Sequence, residues 1–188
     1  SIMCKKLASG ADAIVLDVKT GDGAFMKTLD DSFALAQEMV EIGTAMNRET
    51  IGIISDMDEP LGCTIGNALE VKEAIEVLEG VGNEKLTKLC LTISAYMISM
   101  GKNISLDDAL KEAIEVLESK KALEKFKEFI KYQGGDINKI EVSDKTFKVY
   151  SNTSGYLNDI DELIKVVKST PILEVSKGKQ SAYSGEKL

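Results

Sequence analysis

The hydrophobic positions of this chain fall into two patterns, short continuous runs and longer stretches with helical spacing. The runs at residues 13–19 and 50–55 are apolar enough to predict buried strands. Helical spacing predicts a helix over residues 29–43 between them, and a shorter helix over residues 1–8. A strand, a helix and a second strand in this order predict a parallel crossover. We therefore expect an α/β fold with helices packed on a partly parallel sheet.

The middle of the chain is predicted to be helical. Periodicity predicts four helices, over residues 66–79, over residues 84–100, from Ser105 onward, and over residues 120–132. Gly80 and Gly101 are expected to end the first two of these helices. Ser105 followed by Asp108 three residues later is typical of a capping box at the start of a helix.

Beyond residue 138 the pattern changes to short strand-like segments separated by Ser, Asn, Gly and Pro. The segments at residues 145–150 and 172–175 are of this kind. We therefore predict two domains. The first is an α/β domain over residues 1–138, and the second is a short β-rich C-terminal extension over residues 139–188, either a tail or the start of another domain.

Composition narrows the classes of function. The 188 residues are 44% hydrophobic, enough to bury a core. The formal net charge of -8 disfavours nucleic acid and anionic membrane surfaces as partners. The absence of histidine excludes Ser-His and Cys-His nucleophile pairs and most transition-metal sites. With no apolar stretch long enough for a bilayer and no signal-peptide core, we expect no membrane insertion and a cytoplasmic location.

The first residues that could carry chemistry lie at the start of the chain. Ser1 and Lys5 are four residues apart, so a helix presents both on one face. A hydroxyl and an ammonium in this arrangement suit a flat polar ligand. Spacing alone, however, favours an ordinary solvated first turn.

Two loops that follow the predicted strands are further candidates. Residues 17–27 place charged groups and two glycines at the strand end where open α/β sheets bind ligands, although a tight turn explains the pattern equally well. The loop at residues 60–67 precedes a helix that carries Glu70 and Glu73. Loop carbonyls with one carboxylate make an oxygen site for a hard cation, and an ordinary loop with solvated glutamates is the alternative that the pattern alone favours.

Four motifs, read in order, resemble those of the thymidine and pyrimidine nucleoside phosphorylase family. They are SIMCKK at residues 1–6, GADAIVLDVKTGDGAFMKT at 10–28, IGIISDMDEPLGCTIGNALEVKEAI at 51–75 and FKEFIKYQGGD at 126–136. Beyond residue 136 only Ser154-Gly155-Tyr156 matches, and faintly. The resemblance implies a pentosyltransferase of pyrimidine salvage, in which the co-substrate phosphate displaces the base from a pyrimidine nucleoside and a pentose 1-phosphate forms.

The resemblance also implies site residues. The serine hydroxyl of the family's S-I-M-x-K-K motif and the lysine four residues later bind the pyrimidine, which implies Ser1 and Lys5 as base-binding residues. Bacterial members hold a monovalent cation, potassium, through loop carbonyls and a glutamate. This implies the backbone oxygens of Leu61 and Thr64 and the carboxylate of Glu73 as cation ligands. A homodimer is implied for the full-length protein.

Other parts of the family's site have no counterpart in these residues. The family's glycine-rich phosphate-binding segment, its active-site histidine and its base-site arginine precede the position of Ser1, so we assign no catalytic residue. We therefore expect a fragment that is inactive alone. The alternative is a non-catalytic binding or interaction domain with the same fold. A relationship to anthranilate phosphoribosyltransferases is disfavoured, because no clustered acidic motif for a metal-bound diphosphate is present.

Overall fold

The structure of the chain, a computed structural model, describes residues 2–142, Ser154 and residues 175–176. Ser1, the predicted strand at residues 145–150 and residues 172–174 of the other predicted strand-like segment lie outside the described residues. The chain divides into two compact units, one formed by Ser1–Asp58 and Lys88–Glu115 and the other by Glu59–Thr87 and Val116–Leu188. The domain boundary at residue 138 stays a prediction, because most of residues 139–188 are not described.

The helices and strands follow one another closely along the described residues. In chain order they are α1 (Ile2–Ala8), β1 (Ala13–Thr20), α2 (Leu29–Ala45), β2 (Glu49–Asp56), β3 (Thr64–Ile65), α3 (Asn67–Leu78), α4 (Glu84–Lys102), α5 (Leu106–Glu118), α6 (Lys121–Tyr132) and β4 (Val175–Ser176). A 3-10 turn at Ile137–Lys139 follows α6. In the part of the chain that is described, no helix combines the length and the apolar character needed to cross a membrane.

The first unit is built around a parallel pair of strands. β1 pairs with β2 along its whole length, from Ala13 opposite Glu49 to Thr20 opposite Asp56, with α2 as the crossover. Alternate side chains of β1 are buried, as expected of a strand with one covered face. They form a core with residues of α1 and α2; its members are Met3, Ile14, Leu16, Val18, Ala36 and Met39. The predicted parallel crossover and α/β fold are confirmed.

Close packing of α2 on β2 depends on a glycine. A Cβ atom on Gly43 would lie 2.1 Å from Thr50 Oγ1, well inside contact distance. Thr50 is itself buried, and its hydroxyl donates to Arg48 O at 3.1 Å. Gly43 therefore sets how closely the helix approaches the strand.

The second unit contains α3, α6 and the backbone pair of β3 and β4. α3 begins after Gly66, whose φ of 135° lies in the region that favours glycine. It ends before Gly80, where φ is 76° and the N–H donates to Val77 O at 2.9 Å. Gly80 therefore ends its helix as predicted. The backbones of β3 and β4 pair antiparallel, with Ile65 opposite Val175.

The predicted end of α4 is wrong, whereas the predicted start of α5 is confirmed. Gly101 does not end α4, which continues to Lys102, and the left-handed residue is Asn103 at φ 54°. The prediction for Gly101 is wrong because asparagine also tolerates this conformation. The cap of α5 is confirmed: the Asp108 N–H donates to Ser105 Oγ at 3.2 Å, and that hydroxyl donates to the Asp108 carboxylate at 2.7 Å.

Candidate functional site

α1 presents Lys5 at the surface. Met3, only 4% exposed, anchors the helix in the core of the first unit, whereas Lys5 and Lys6 are both exposed. Among the described residues the Lys5 ammonium has no ion-pair partner, so it is available to a ligand. Ser1 lies outside the described residues, and its place beside Lys5 stays a prediction.

The glycine loop after β1 is held against the segment that follows β2. The Gly23 N–H donates to Met57 O at 2.9 Å, and the Asp22 N–H donates to an Asp58 carboxylate oxygen at 2.8 Å. Gly21 has φ 111°, and a Cβ there would lie 2.2 Å from the same oxygen. A Cβ on Gly23 would lie 2.7 Å from Met57 O, so both glycines are needed for a tight turn. The contacts support the structural explanation of this loop.

A polar cluster that the sequence did not predict lies on the strands of the first unit. We call Asp17, Lys19 and Ser55 the sheet cluster. Lys19 Nζ lies 2.7 Å from one Asp17 carboxylate oxygen and donates to Ser55 Oγ at 2.8 Å, and the Ser55 hydroxyl donates to the other Asp17 oxygen. The three groups satisfy one another, and the two charges cancel.

Cys90 of α4 is influenced by both charges of the sheet cluster. Although the residue lies at the surface, partial burial of its thiol raises the pKa of Cys90 above its usual range, while Lys19 lowers it and Asp17 raises it. A raised pKa keeps the thiol protonated and weakly nucleophilic. Cys90, like Cys4 and Cys63, is a free thiol.

The second polar cluster joins α3 to the loop before it. We call Leu61, Gly62, Cys63, Thr64 and Glu73 the loop cluster. The Glu73 carboxylate, 6% exposed, accepts the Cys63 backbone N–H at 2.5 Å and the Thr64 hydroxyl at 2.8 Å. A Cβ on Gly62 would lie 2.1 Å from Glu73 Oε2, so the glycine makes room for the carboxylate. Two of the three predicted cation-ligand residues, Thr64 and Glu73, are thereby brought into contact.

The other predicted ligand and the neighbouring glutamate have different surroundings. Leu61 is half-buried and lies three residues before Thr64 in the same loop. The Glu70 carboxylate bonds to the N-terminal end of its own helix, where it accepts the Gly66 N–H at 3.1 Å. Of the two glutamates on α3, Glu73 is therefore the one that faces the loop.

Among the described residues, no cationic side chain balances the charge of the loop cluster. Both groups that donate to Glu73 are neutral, and no lysine or arginine of the described residues pairs with it. A buried carboxylate without a cationic partner is costly. The remaining lone pairs of this carboxylate and the backbone carbonyls of the same loop are oxygen donors, the ligands that hard cations prefer. The donor set therefore fits a hard cation bound through one carboxylate.

A multi-carboxylate or thiolate metal centre does not fit the same residues. Within residues 2–142, no cluster of three or more His, Cys, Asp or Glu side chains is arranged to hold a metal ion. A cation at the loop cluster would thus depend on main-chain oxygens for most of its ligands.

Comparison with known proteins places the chain in a family. Residues 1–123 match the sequence model described as the glycosyl transferase family, a/b domain. The chain is 58% identical over 137 residues to the pyrimidine-nucleoside phosphorylase of Bacillus subtilis, an alignment that covers 72% of this chain and 32% of that protein. Proteins of the same name from Staphylococcus epidermidis and Staphylococcus aureus are 55% and 50% identical over 146 and 167 residues. Those alignments cover 77% and 85% of this chain.

The matched relatives are much longer than the segment aligned here. The chain spans 32% of the Bacillus subtilis protein, 34% of the Staphylococcus epidermidis protein and 39% of the Staphylococcus aureus protein. The resemblance found in the sequence motifs is confirmed by these matches, and the α/β architecture agrees with the domain that the family model describes. The chain belongs to the glycosyl transferase family, a/b domain.

Proposed function

We propose that the chain forms part of a pyrimidine nucleoside phosphorylase. Such an enzyme converts a pyrimidine nucleoside and phosphate into the free base and a pentose 1-phosphate. The observation that carries the proposal is the identity of 50–58% to relatives of that name over 137–167 residues. The matched family domain, residues 1–123, includes both α1 and the loop cluster.

In this proposal Lys5 binds the pyrimidine together with Ser1. Negative charge develops on the base as it leaves the sugar, and a positioned ammonium stabilises that charge. The exposed, unpaired state of Lys5 among the described residues supports this role, because no protein carboxylate competes for the ammonium. The hydroxyl of Ser1 would add a hydrogen bond to the same ring.

The proposal includes a monovalent cation, potassium, at the loop cluster. Its ligands would be the backbone oxygens of Leu61 and Thr64 and the carboxylate of Glu73. The burial of Glu73, and the absence of a cationic partner for it in the part of the chain that the structure describes, support this assignment. A bound cation would neutralise that charge and hold the loop against α3.

The setting of the enzyme is also part of the proposal. A role in pyrimidine salvage and a homodimer of the full-length protein follow from the resemblance, and a cytoplasmic location follows from the sequence pattern. The net charge of -8 supports a small-molecule substrate over nucleic acid or an anionic membrane surface.

Replacing Lys5 tests the proposed base site. A chimaera in which the aligned part of this chain replaces its 137-residue counterpart in the Bacillus subtilis relative supplies the remaining parts of the enzyme. In it, Lys5→Met should lower kcat/KM for phosphate-dependent release of uracil or thymine by about 100-fold or more, the effect of losing one electrostatic stabiliser of the transition state. Lys6→Met, at the neighbouring exposed lysine, is the matched control and should change it little. Equal effects of the two substitutions would contradict the assignment.

A second experiment separates the phosphorylase from the non-catalytic alternative. The 188 residues alone should release no base, whereas the chimaera should turn over. Robust phosphorolysis by the 188 residues alone would contradict the fragment interpretation. A chimaera that folds and binds pyrimidine but does not turn over would favour a binding domain.

A further inference from the structure

The loop cluster is bonded to a second helix besides α3. Asn83, the residue before α4, donates from its side-chain Nδ2 to Cys63 Sγ at 3.0 Å. In the first turn of the same helix, the Lys85 ammonium pairs with the Glu59 carboxylate, two residues before Leu61. The start of α4 is therefore connected to the loop at two points, one before Leu61 and one between Leu61 and Thr64.

The Asn83 side chain makes two bonds at once. Its Oδ1 accepts the Leu86 N–H at 3.0 Å, which caps α4, while its Nδ2 reaches Cys63. Its backbone oxygen accepts the N–H of Thr87 at 2.9 Å and the Thr87 hydroxyl at 2.8 Å. Because the oxygen of the amide is bound to the helix, the nitrogen can only point towards the loop.

Cys63 is the residue where the bonds from the two helices meet. Its backbone N–H donates to Glu73 of α3, and its sulfur accepts from Asn83. Fixing both the backbone and the side chain of one residue limits the rotation of the peptide units on either side of it. Those units lie between Leu61 and Thr64, whose backbone oxygens are the proposed cation ligands.

We propose that Asn83 is a positioning residue of the loop cluster, which fixes Cys63 and through it the orientation of the loop oxygens. The amide acts through its hydrogen bond to sulfur and touches neither substrate nor cation. The function of this bond in cation binding rests on the proposed potassium site, whereas its function in ordering the loop does not.

Two substitutions remove the bond from opposite ends. Asn83→Ser keeps a residue that caps helices about as well as asparagine but lacks the amide donor. Cys63→Ala removes the sulfur acceptor and leaves the cap untouched. In each variant of the 188-residue chain, NMR measures amide hydrogen exchange at Cys63 and at Leu86. Thermal unfolding at increasing potassium concentration gives the concentration of half-maximal stabilisation.

Both variants should show the same localised effect. Exchange of the Cys63 amide should become about fivefold faster, which is the factor for one hydrogen bond of about 1 kcal/mol. The potassium concentration of half-maximal effect should rise by up to about fivefold, because a loop that is less preorganised binds more weakly. Exchange at Leu86 should stay unchanged, which shows that the cap persists. The double variant should behave like either single variant, since both remove one bond.

The possible results separate the positioning role from the potassium site. Unchanged Cys63 exchange in both variants, or effects that add in the double variant, would overturn the proposal. Faster exchange with an unchanged potassium response would also overturn it, because that is the result of a merely structural bond. If the unsubstituted chain itself does not respond to potassium, the proposed cation site fails, and Cys63 exchange alone decides whether Asn83 orders the loop.

Discussion

The sheet cluster and the loop cluster each hold a partly or fully buried carboxylate, but they balance its charge differently. In the sheet cluster, Asp17 is paired with Lys19, and Ser55 bonds to both. In the loop cluster, the described residues that donate to Glu73 are Cys63 and Thr64, and both donors are neutral. On the same whole-residue scale Asp17 is exposed, whereas Glu73 is buried and only 6% exposed. Among the described residues, the more deeply buried carboxylate is therefore the one that has no cationic partner.

This difference separates a structural cluster from a candidate binding site. A charge pair that is closed on itself has little affinity left for a ligand. A buried carboxylate with neutral donors keeps its net charge, and a bound cation removes the cost of burying it. The distinction depends on which partners each carboxylate has and not on the number of polar residues.

The largest effect is expected from filling the space beside Glu73. In Gly62→Ala the new Cβ would lie 2.1 Å from Oε2 and 2.6 Å from the carboxyl carbon, so the carboxylate must move and give up its two hydrogen bonds. We expect a loss of about 2 kcal/mol in the free energy of unfolding, measured by denaturant titration.

A second glycine of the chain supplies the control for that substitution. Outside the backbone of its own helix, a Cβ on Gly101 would meet no atom of the described residues within 4 Å. Gly101→Ala should therefore raise the free energy of unfolding by up to about 1 kcal/mol, through helix propensity alone. If Gly62→Ala were as harmless, the close approach of Glu73 to the loop would be contradicted.

A smaller effect is expected from opening the sheet cluster. Lys19→Met keeps most of the apolar stem but leaves Asp17 with only the Ser55 hydroxyl. Since the pair is about a quarter exposed, the free energy of unfolding should fall by only about 1 kcal/mol. The variant should keep the potassium response of the unsubstituted chain. Loss of that response would remove the distinction between the two clusters.

The same substitution should change the chemistry of Cys90. Lys19 lowers the pKa of this thiol, so Lys19→Met should raise the pKa further, whereas Asp17→Asn should lower it. The measurement is the pH dependence of alkylation at Cys90, followed by mass spectrometry of its peptide. The alkylation profile should move to higher pH in the first variant and to lower pH in the second. A shift in the same direction for both would contradict the arrangement.

The smallest effect is expected at the exposed start of α5. The hydrogen bond from Ser105, and then Lys111, hold the pKa of Asp108 below its usual range. A lowered folded-state pKa stabilises the protein above the unfolded-state pKa, and this contribution disappears as pH falls through the folded-state pKa. Ser105→Ala should therefore raise the pKa of Asp108 towards its usual range, which an NMR titration of the carboxyl carbon would show. An unchanged titration would contradict the cap.

The fold was largely predictable because its signals are local. The apolar runs at residues 13–19 and 50–55 and the helical spacing between them predict β1, α2 and β2, and Gly80 ends α3 as expected. The error at Gly101 has a local cause too, because Asn103 takes the left-handed conformation two residues later. Sequence pattern alone does not decide between Gly101 and Asn103, because both residue types tolerate the left-handed conformation.

The contacts of the two clusters could be predicted only in part. The resemblance identified Glu73 as a ligand. The hydrogen bond from the Cys63 N–H to Glu73, however, depends on how the loop packs against α3, ten residues further along the chain. The sheet cluster requires the register that sets Lys19 opposite Ser55, which no local pattern fixes. The spacing of Asp17 and Lys19, two residues apart on one strand, was the available signal for a shared face.

The most direct test of a cation held by Glu73 is whether stabilisation by potassium requires the charge of this side chain. Thermal unfolding is compared in potassium chloride and in tetramethylammonium chloride of equal ionic strength, for the unsubstituted chain and for Glu73→Gln. The amide keeps an oxygen for the Cys63 N–H but carries no charge. We predict that potassium raises Tm of the unsubstituted chain in a saturable way and leaves Glu73→Gln unaffected. An equal rise in both proteins, or none in either, would contradict a cation held by Glu73.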